Sequence, residues 1–374
     1  MPLVQPFRAL RPAPGRAAEV LAPPYDVLSS AEARVRAAGR PWSFLHVSKP
    51  EIDLAADVDP YSPAVYAKAS ENLARMVSAG VLVRDPTAPY YVYRLTWQGH
   101  VQTGLCCAAS VDAYRSGRIR RHELTTPVKE DDRVRQIEAV NAGTGPVMMA
   151  YPDAPALDAL LAAATAGPPD FDVVADDGVR HALWPVADDA AIAAISAAVD
   201  ALPALYIADG HHRSAAAARI AEARGAADGP HRFFLSVLFP GHEMTILAYN
   251  RLIADLNGRT PEALLAALGT DFAVVPSDAP VEPTAPAEFG MFLAGRWYRL
   301  VLPPDRVPDG DPIGRLPITL LSRHAIAPLF GITDQRKDKR IDFVGGGRGL
   351  GELERRVASG GMAVAFSLHA TRMA

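Results

Sequence analysis

The sequence contains little cysteine, few aromatic residues and no large excess of charge of one sign. Its 374 residues include two cysteines, Cys106 and Cys107, which are adjacent in the chain. Neighbouring cysteines rarely form a disulfide, so a fold held by disulfides is excluded and a reducing cytoplasm is the expected compartment. The formal net charge of -4 argues against a protein whose main task is to grip nucleic acid by its phosphates.

Long apolar runs are also missing. No run approaches the roughly 20 residues of a membrane span, and the first stretch, MPLVQPFRALRPAPG, lacks the apolar centre of a signal peptide. We therefore expect neither a membrane partner nor export. The content of 49% hydrophobic and 21% charged residues is ordinary for a globular protein, and the length predicts two domains or one large elaborated domain.

Helix and strand patterns are interspersed along the chain without a strict βαβ rhythm. Two strand-like runs flank Gln98-Gly99, which predicts a hairpin. RFFLSVLFP and MTILAYNRLI are interpreted as strands on either side of a Pro-Gly turn. The mixture predicts an α+β fold, with a main domain over residues 1–250 and a smaller α+β region over residues 251–374.

The stretch IADGHHRSAAAARIAEARG combines a short strand, a tight turn and a helix. Asp209-Gly210 forms the turn, because glycine accepts backbone angles that other residues resist, and the alanine-rich run propagates the helix. His211, His212 and Arg213 then lie at the helix N-terminus, where free N–H groups and the positive end of the helix dipole meet. Such an end, with imidazoles and an arginine fork added, predicts an anion site, with phosphate as the leading ligand.

Two other interpretations of this stretch stay open. Asp209 could simply cap the helix, with both histidines in solvent. Alternatively, Asp and His side chains could bind a transition metal, although His211 and His212 diverge by about 100° around a helix and would rarely reach one ion. No cysteine pair, His-Glu-x-x-His or EF-hand loop exists elsewhere, so we predict no dedicated metal site. Mg²⁺ that bridges phosphates is the more plausible ion.

A second charged stretch, RRHELTTPVKEDDRVRQ at residues 120–136, is interpreted as a loop followed by a short helix. A run of charges usually forms a solvated surface, but His122-Glu123 offers an acid/base pair within a loop. Further cationic candidates in this stretch are Arg121, Lys129 and Arg133.

Two shorter stretches contribute further candidates. APPYDVLSS places Tyr25 and Asp26 after two prolines, which either aim them at a ligand or hold an N-terminal arm to the surface. Asn250 and Arg251 end a strand in YNRLI, from where the arginine could reach a ligand or pair with a carboxylate. The glycine-rich VGGGRG lacks the features of a Walker loop or a Rossmann fingerprint and is interpreted as a turn.

The order of these stretches resembles that of a bacterial and archaeal family described as domain of unknown function 1015. The shared stretches are PFRALRP, APPYDVLSS, RRHELTTPVKEDDR, ADGHHRSAAA, YNRLI and GMAVAFSLH, and they span nearly the whole chain. Members are expected to continue into a stretch rich in Met-Pro-Pro-Lys and aromatic residues, whereas this sequence stops at ATRMA. If that stretch supplies a lysine to the site, the activity of this chain is in doubt.

A more distant resemblance implies a function. The motif DGHHR is similar to the Gly-Cys-His-Arg of sulfiredoxin and to the Gly-x-x-Arg box of ParB-like domains, where it holds nucleotide phosphates at a helix N-terminus. The resemblance implies a ParB/sulfiredoxin-like core with large elaborations, in which Gly210, His212 and Arg213 contact phosphate. His211 takes the place of the sulfiredoxin cysteine. Free-serine kinases share this superfamily, and genes of the closer family lie beside those for phosphoserine biosynthesis, so serine and phosphoserine are the implied substrates.

These inferences combine into one hypothesis, a phosphoryl-transfer enzyme of the phosphoserine phosphatase or serine kinase type. His211 would be the nucleophile or general acid, and Asp209 would orient a histidine or bind Mg²⁺. Glu123 or His122 would be the general base. The residues expected to bind phosphate and the rest of the substrate are Gly210, His212, Arg213, Arg121, Lys129, Arg133, Arg251, Asn250, Tyr25 and Asp26.

ATP or ADP is a candidate co-substrate, the other partner is a small phosphorylated metabolite, and a homodimer is a candidate assembly. One alternative is a non-catalytic, nucleotide-binding switch protein of the ParB-like type. Another is a metal-dependent hydrolase that uses His122, Glu123, Asp209 and His211, which predicts stoichiometric zinc. The composite site also requires that residues 120–136 meet the DGHHR motif in space.

Overall fold

The chain folds into two compact units, Met1–Met244 and Thr245–Ala374. The computed structural model describes residues 2–123, 125–225, 227–335 and 337–371. The expected boundary between residues 250 and 251 falls inside the strand Tyr249–Ile253, which pairs with two strands of the second unit. The division therefore lies a few residues earlier than expected, because a strand belongs with the sheet that holds it.

The first unit is a sheet structure with helices packed against it. Its strands are β1 (Val4–Gln5), β2 (Leu10–Pro12), β3 (Leu82–Arg84), β4 (Tyr90–Trp97), β5 (His100–Ser110), β6 (Ile119–Arg120), β7 (Val147–Tyr151), β8 (Phe171–Val174), β9 (Arg180–Val186), β10 (Leu205–Asp209) and β11 (Phe233–Pro240). Its helices are α1 (Ala17–Val20), α2 (Ser30–Ala37), α3 (Leu45–Ser48), α4 (Pro63–Ser78), α5 (Val111–Arg115), α6 (Pro127–Val140), α7 (Pro155–Ala164), α8 (Asp189–Asp200) and α9 (His211–Ala223).

The main sheet of this unit mixes parallel and antiparallel pairs. Its order is β6-β10-β7-β11-β5-β4-β9-β8, with β1 against β5, while β2 and β3 pair separately. β10 runs parallel to β6 and β7 runs parallel to β11, and the other pairs are antiparallel. Helices α7, α8 and α9 bury apolar side chains against this sheet, among them Leu161, Val199 and Ala217. The α+β class is thus confirmed, and the ParB/sulfiredoxin-like core stays a prediction.

The predicted hairpin is confirmed, and one predicted strand is corrected. Gln98 and Gly99 take φ of 50° and 81° in a two-residue turn between β4 and β5, as a tight hairpin turn requires. RFFLSVLFP forms β11, but MTILAYNRLI contributes only its last five residues to a strand, in a different sheet. The reason is that β11 already has β5 and β7 on its two sides, so it has no free edge.

Helices α6 and α9 bring the two charged stretches of the sequence together. α6 has 14 residues and is longer than the short helix expected there, with Pro127 at its start and Asn141 at φ 49° after its end. The two helices are cross-linked by Arg219, whose Nη1 lies 3.1 Å from Glu130 and 2.6 Å from Asp131. The loop before α6 is thereby placed beside the start of α9.

The second unit is a six-stranded antiparallel sheet with helices. Its strands are β12 (Tyr249–Ile253), β13 (Ala273–Ser277), β14 (Glu288–Leu293), β15 (Arg296–Val301), β16 (Ile341–Gly345) and β17 (Val364–Leu368), in the order β13-β15-β14-β17-β12-β16. Its helices are α10 (Pro261–Leu268), α11 (Pro317–Leu321), α12 (Ala327–Phe330) and α13 (Leu350–Ala358), with a π-helical turn at Ser322–Ile326 between α11 and α12. In the part of the chain that the structure describes, no helix has the length and apolar character needed to cross a membrane.

Candidate functional site

Helix α9 begins inside the DGHHR motif. β10 ends at Asp209, Gly210 takes φ of 95°, and His211 is the first residue of the 13-residue helix. A Cβ at Gly210 would lie 3.2 Å from Cα of Val147, so this glycine both turns the chain and lets it pass close to β7. Among the residues that the structure describes, no side chain caps the helix start. Its first N–H groups therefore have no acceptor within the helix and, with the helix dipole, attract an anion.

His211 is buried beside two residues of the second charged stretch. It is 4% exposed, and its Nδ1 lies 3.4 Å from Oε2 of Glu123. Its ring meets the ring of His122 edge to face, with centres 4.6 Å apart. Its Nε2 is buried without a hydrogen-bond partner among the described residues. The two stretches thus meet in space, as the composite site requires.

Both histidines of the motif are held neutral at pH 7. Burial, and then the neighbouring His122, lowers the pKa of His211, while Glu123 acts in the opposite direction. Burial, and then Lys129, lowers the pKa of His212. Nε2 of His212 accepts the backbone N–H of Thr126 at 3.1 Å, so its proton lies on Nδ1. A carboxylate beside Nδ1 of His211 favours the same tautomer there, which leaves Nε2 with a lone pair.

Arg213 secures the motif to the neighbouring chain. Its guanidinium donates to the carboxylate of Asp209 and to the carbonyl of Pro146, and it lies 3.8 Å from Asp26. A Cβ at Gly145 would lie 3.3 Å from Cδ of Arg213, so glycine leaves the space for this side chain. The expected role of Arg213 as a phosphate ligand is thus not supported by its contacts, because the chain itself supplies its acceptors.

The interpretation of the motif as a simply capped, solvated helix start is wrong. Asp209 pairs with Arg213 instead of capping, and Gly210 occupies the N-cap position. His211 is buried, and His212 is half-buried. The motif is consequently packed against the rest of the unit, and both histidines and the Asp209 carboxylate have defined contacts.

Two other predicted cations, Arg133 and Arg121, contact tyrosines, and Arg133 also pairs with a carboxylate. Arg133 lies 4.1 Å over the ring of Tyr25 and donates through Nε to Asp132 at 2.9 Å. Burial raises the pKa of Tyr25, although Arg133 opposes this. Arg121 donates to the hydroxyl of Tyr114 at 3.0 Å and lies over its ring.

Lys129 is a further expected cation of the second charged stretch. It is exposed, and no ion pair engages it among the residues that the structure describes. Because Lys129 lowers the pKa of His212, its charge acts at the helix start. Of the cations expected in the clamp, Lys129 and Arg121 are the ones in this unit without a carboxylate partner among the described residues, and the helix N–H groups add to them.

The predicted residues Asn250 and Arg251 belong to the second unit. Asn250 is buried, and its Oδ1 accepts the backbone N–H of Leu368 at 3.1 Å. Arg251 is buried against Tyr249 and Phe343, and its surroundings are described below. The hydrogen bond of Asn250 therefore links β12 to the end of β17.

Residues 125–146 contain contacts that the sequence did not reveal. Thr126 supplies an N–H to His212, and Pro146 supplies a carbonyl to Arg213. A signal for the second was present in NAGTGP, in which two glycines flank a threonine directly before a strand. No such signal marked Thr126, because its contact depends on the packing of α6 against α9.

The described parts of the chain offer no clear metal site, and a cavity lies away from the DGHHR motif. Among the described ranges of the chain, no group of three or more His, Cys, Asp or Glu side chains is arranged to hold a metal ion. A cavity of about 250 Å³ lies at the other end of α9 and is lined in part by Arg115, Glu222 and Arg232. Arg115 pairs with Glu222 there, and Arg232 pairs with Asp112. The start of α9, with its partnerless imidazole nitrogen, is the stronger candidate site.

The fold and the site define a two-unit α+β protein that carries a histidine cluster at the start of a helix. The chain belongs to the family described as "Protein of unknown function (DUF1015)", whose profile matches residues 4–319. This match confirms the resemblance drawn from the order of the sequence stretches. The likeness to ParB and sulfiredoxin stays a prediction. Neither a curated protein nor a solved structure matches the chain.

Proposed function

We propose that this protein is a phosphoryl-transfer enzyme acting on a small phosphorylated metabolite, with phosphoserine and serine as the first substrates to test. The observation that carries the proposal is His211, a buried neutral imidazole at the first position of a helix. Its Nδ1 lies beside the carboxylate of Glu123, and its Nε2 has no partner among the described residues. A nucleophile and an anion-binding helix end thus occupy the same place.

The phosphate would be held by the first N–H groups of α9 and by Lys129. Phosphoryl transfer consists mostly of positioning and charge neutralisation, and the helix start offers donors that are fixed before substrate arrives. Arg213 would act indirectly, by holding Asp209 and the Pro146 carbonyl in place. Mg²⁺ bridging the phosphate would supply further positive charge without a dedicated protein site.

In the chemical step, the lone pair of Nε2 of His211 attacks phosphorus, and the bond from phosphorus to the ester oxygen breaks. The departing serine oxygen takes up a proton, for which His122 is the nearby donor. Water then attacks phosphorus, the bond from phosphorus to Nε2 breaks, and His122 takes a proton from the water as phosphate leaves, with Glu123 stabilising the imidazole through Nδ1. In the kinase direction, ATP would donate the phosphoryl group and serine would accept it. Because Nε2 is buried in the free protein, substrate binding must displace neighbouring side chains, of which exposed His122 is one.

The test is a screen for phosphate release from phosphoserine, and for phosphoryl transfer to serine, with and without ATP, ADP and Mg²⁺. We expect His211→Ala to lower turnover about a thousandfold or more with an unchanged fold. His242→Ala is the matched control. It removes a histidine next to Gly241, at the Tyr151 end of β7, whereas the motif contacts the Val147 end. These ends are about 13 Å apart at the usual rise of a strand.

Two results would contradict the proposal. Full activity of His211→Ala would remove the assigned nucleophile. Tight nucleotide binding with neither release nor transfer of phosphate would instead favour the nucleotide-dependent switch. Trapping of an acid-labile phosphoprotein in wild type and its absence in His211→Ala would support the covalent step.

A further inference from the structure

Among the arginines of the second unit that the structure describes, Arg251 is the most deeply buried. It lies in the middle of β12 and is 2% exposed. Its guanidinium carbon lies 4.7 Å from the ring centre of Phe343 and 5.2 Å from that of Tyr249, and these two rings stack on each other. Aromatic faces attract a cation, but they leave its charge in place.

The hydrogen bonds of Arg251 leave most of its donors unused. A guanidinium has five N–H donors. Nη1 donates to the backbone carbonyl of Tyr249, and Nε donates to Oε1 of Gln335 at 3.2 Å. No carboxylate pairs with Arg251 among residues 2–123, 125–225, 227–335 and 337–371. Three N–H donors and a full positive charge are therefore left without a described acceptor.

Several other arginines with little exposure have a counter-charge, whereas the half-buried Arg34 and Arg94 donate to carbonyls and threonine hydroxyls. Four of those with a counter-charge have side chains between 11% and 19% exposed, and each pairs with at least one aspartate: Arg11, Arg133, Arg213 and Arg232. Aspartates contribute to raising the pKa of Arg11 and Arg133, whereas burial lowers the pKa of Arg251 to about 10. Burying a cation without a counter-charge is costly, so a missing counter-charge indicates a place for a ligand.

We propose that Arg251 anchors an oxyanion site in the second unit, which takes the carboxylate or phosphate group of a small ligand. The fork of unused N–H donors matches two oxygens of such a group. Tyr249, which is 56% exposed, forms the side of the site that is open to solvent. This proposal does not depend on the proposed function, which rests on residues of the first unit alone.

The test compares binding of inorganic phosphate and of acetate to the purified full-length chain by calorimetry, with chloride at equal ionic strength as reference. The variants are Arg251→Met, which keeps the volume but removes charge and donors, and Arg251→Lys, which keeps the charge. We expect the affinity for at least one oxyanion to fall tenfold or more in Arg251→Met and by less in Arg251→Lys. All three proteins carry the same DGHHR motif, so the difference isolates Arg251.

The outcomes distinguish a phosphate site from a general oxyanion site. They also distinguish binding at Arg251 from binding at the DGHHR motif. A response to phosphate alone supports a phosphate site, and a response to acetate as well supports a general oxyanion site. Equal binding by wild type and Arg251→Met, or no binding beyond that of chloride, overturns the proposal. Binding that is lost in His211→Ala and kept in Arg251→Met also overturns it, while supporting the proposed function. Should Arg251→Met fail to fold by circular dichroism, Arg251→Lys still has to bind more weakly than wild type.

Discussion

Arg213 and Arg251 show two ways in which this chain buries a guanidinium. Arg213, in the first unit, donates to the carboxylate of Asp209 and to a backbone carbonyl, and Asp26 lies nearby. Arg251, in the second unit, has two aromatic rings, a carbonyl and an amide oxygen around it. The first arginine is neutralised within the chain, and the second is not. The difference separates an arginine that supports structure from one that is available to an anion.

This comparison changes how the cations of the first unit are understood. In the sequence, Arg121, Arg133 and Arg213 were candidate phosphate ligands in the two charged stretches. In the structure, Arg133 and Arg213 are paired with aspartates, while Lys129 stays exposed. The capacity of this region to bind phosphate therefore depends on the helix N–H groups, Lys129 and Arg121, and the number of basic residues is a poor measure of it.

The largest expected effect is a contrast in stability between two matched substitutions. Arg213→Met leaves the Asp209 carboxylate and the Pro146 carbonyl without their donor, and we expect the free energy of unfolding to fall by about 2–3 kcal/mol. Asp209 is 64% exposed, so water restores part of its solvation and keeps the loss in this range. Arg251→Met removes an unpaired cation, so in buffer without oxyanions we expect no loss, or a gain of about 1 kcal/mol.

Urea denaturation of both variants in chloride buffer measures this contrast. Addition of phosphate should stabilise the Arg213→Met variant through its intact Arg251, and should stabilise the Arg251→Met variant less. Similar losses of stability in the two variants would show that Arg251 is also compensated within the chain, and the comparison would then fail.

The next effect concerns Gly210, where a Cβ would meet both Val147 and the guanidinium of Arg213. Alanine at position 210 would adopt a φ of 95° and place its Cβ 3.2 Å from Cα of Val147, a backbone atom in the middle of the sheet. We expect Gly210→Ala to cost about 2–3 kcal/mol of unfolding free energy. The control is Gly225→Ala, with φ of 83° and open space around its Cβ, for which backbone strain alone predicts about 1 kcal/mol. Equal costs would show that the close approach to β7 contributes nothing.

Local features of this fold could be predicted from the sequence, because they depend on neighbouring residues. Gln98-Gly99 predicted its hairpin, and Asp209-Gly210 predicted a strand followed by a helix. The pairing of MTILAYNRLI could not be predicted, because it depends on which sheet edge is free. β11 was already paired on both sides, so Tyr249–Ile253 joined the second sheet.

The candidate site was predictable in its residue types but less so in their roles. His211 lies close to His122 and Glu123, as expected if the two charged stretches meet. The Pro146 partner of Arg213 was not predictable, since its carbonyl is 67 residues away in the chain. The charge partners are near in sequence, because Asp209 is four residues from Arg213 and Asp132 is next to Arg133. The sequence overestimated the number of free cations because these local pairs were not considered.

Glu123 is intermediate between Arg213, which has a charged partner, and Arg251, which has none. Its carboxylate lies beside an imidazole that is neutral. It is 60% exposed and lies 3.4 Å from Nδ1 of His211, so we expect Glu123→Gln to lower phosphate release about tenfold. Glu123 raises the pKa of His211, so its loss should move the acidic limb of the pH–rate profile to lower pH. Glu222→Gln, at the far end of α9, is the control and should change neither the rate nor the limb. If the acidic limb does not shift in Glu123→Gln, then Glu123 does not influence the pKa of His211.

The smallest expected effect is a pH dependence of stability that belongs to the first unit. Burial lowers the folded-state pKa of His211 below its ordinary value of 6.5, so the unfolded chain takes up the proton first as the pH falls. Stability is therefore full above pH 6.5 and decreases as the pH falls from there through the folded pKa. Arg251, with a pKa of about 10, does not titrate in this range.

We expect the stabilities of His211→Gln and wild type to change in parallel between pH 7 and 8. Below pH 6.5 wild type should lose up to about 1 kcal/mol more, because the glutamine variant has no proton to bind at this position. Urea denaturation at half-unit pH steps measures the difference, and the interval above pH 7 serves as the internal control. A wild-type curve that stays parallel down to pH 5 would show that His211 titrates equally in the folded and unfolded chain. The cost of charging the buried His211 would then be too small to measure. The argument that burial of an unpaired charge is costly could no longer be applied to Arg251.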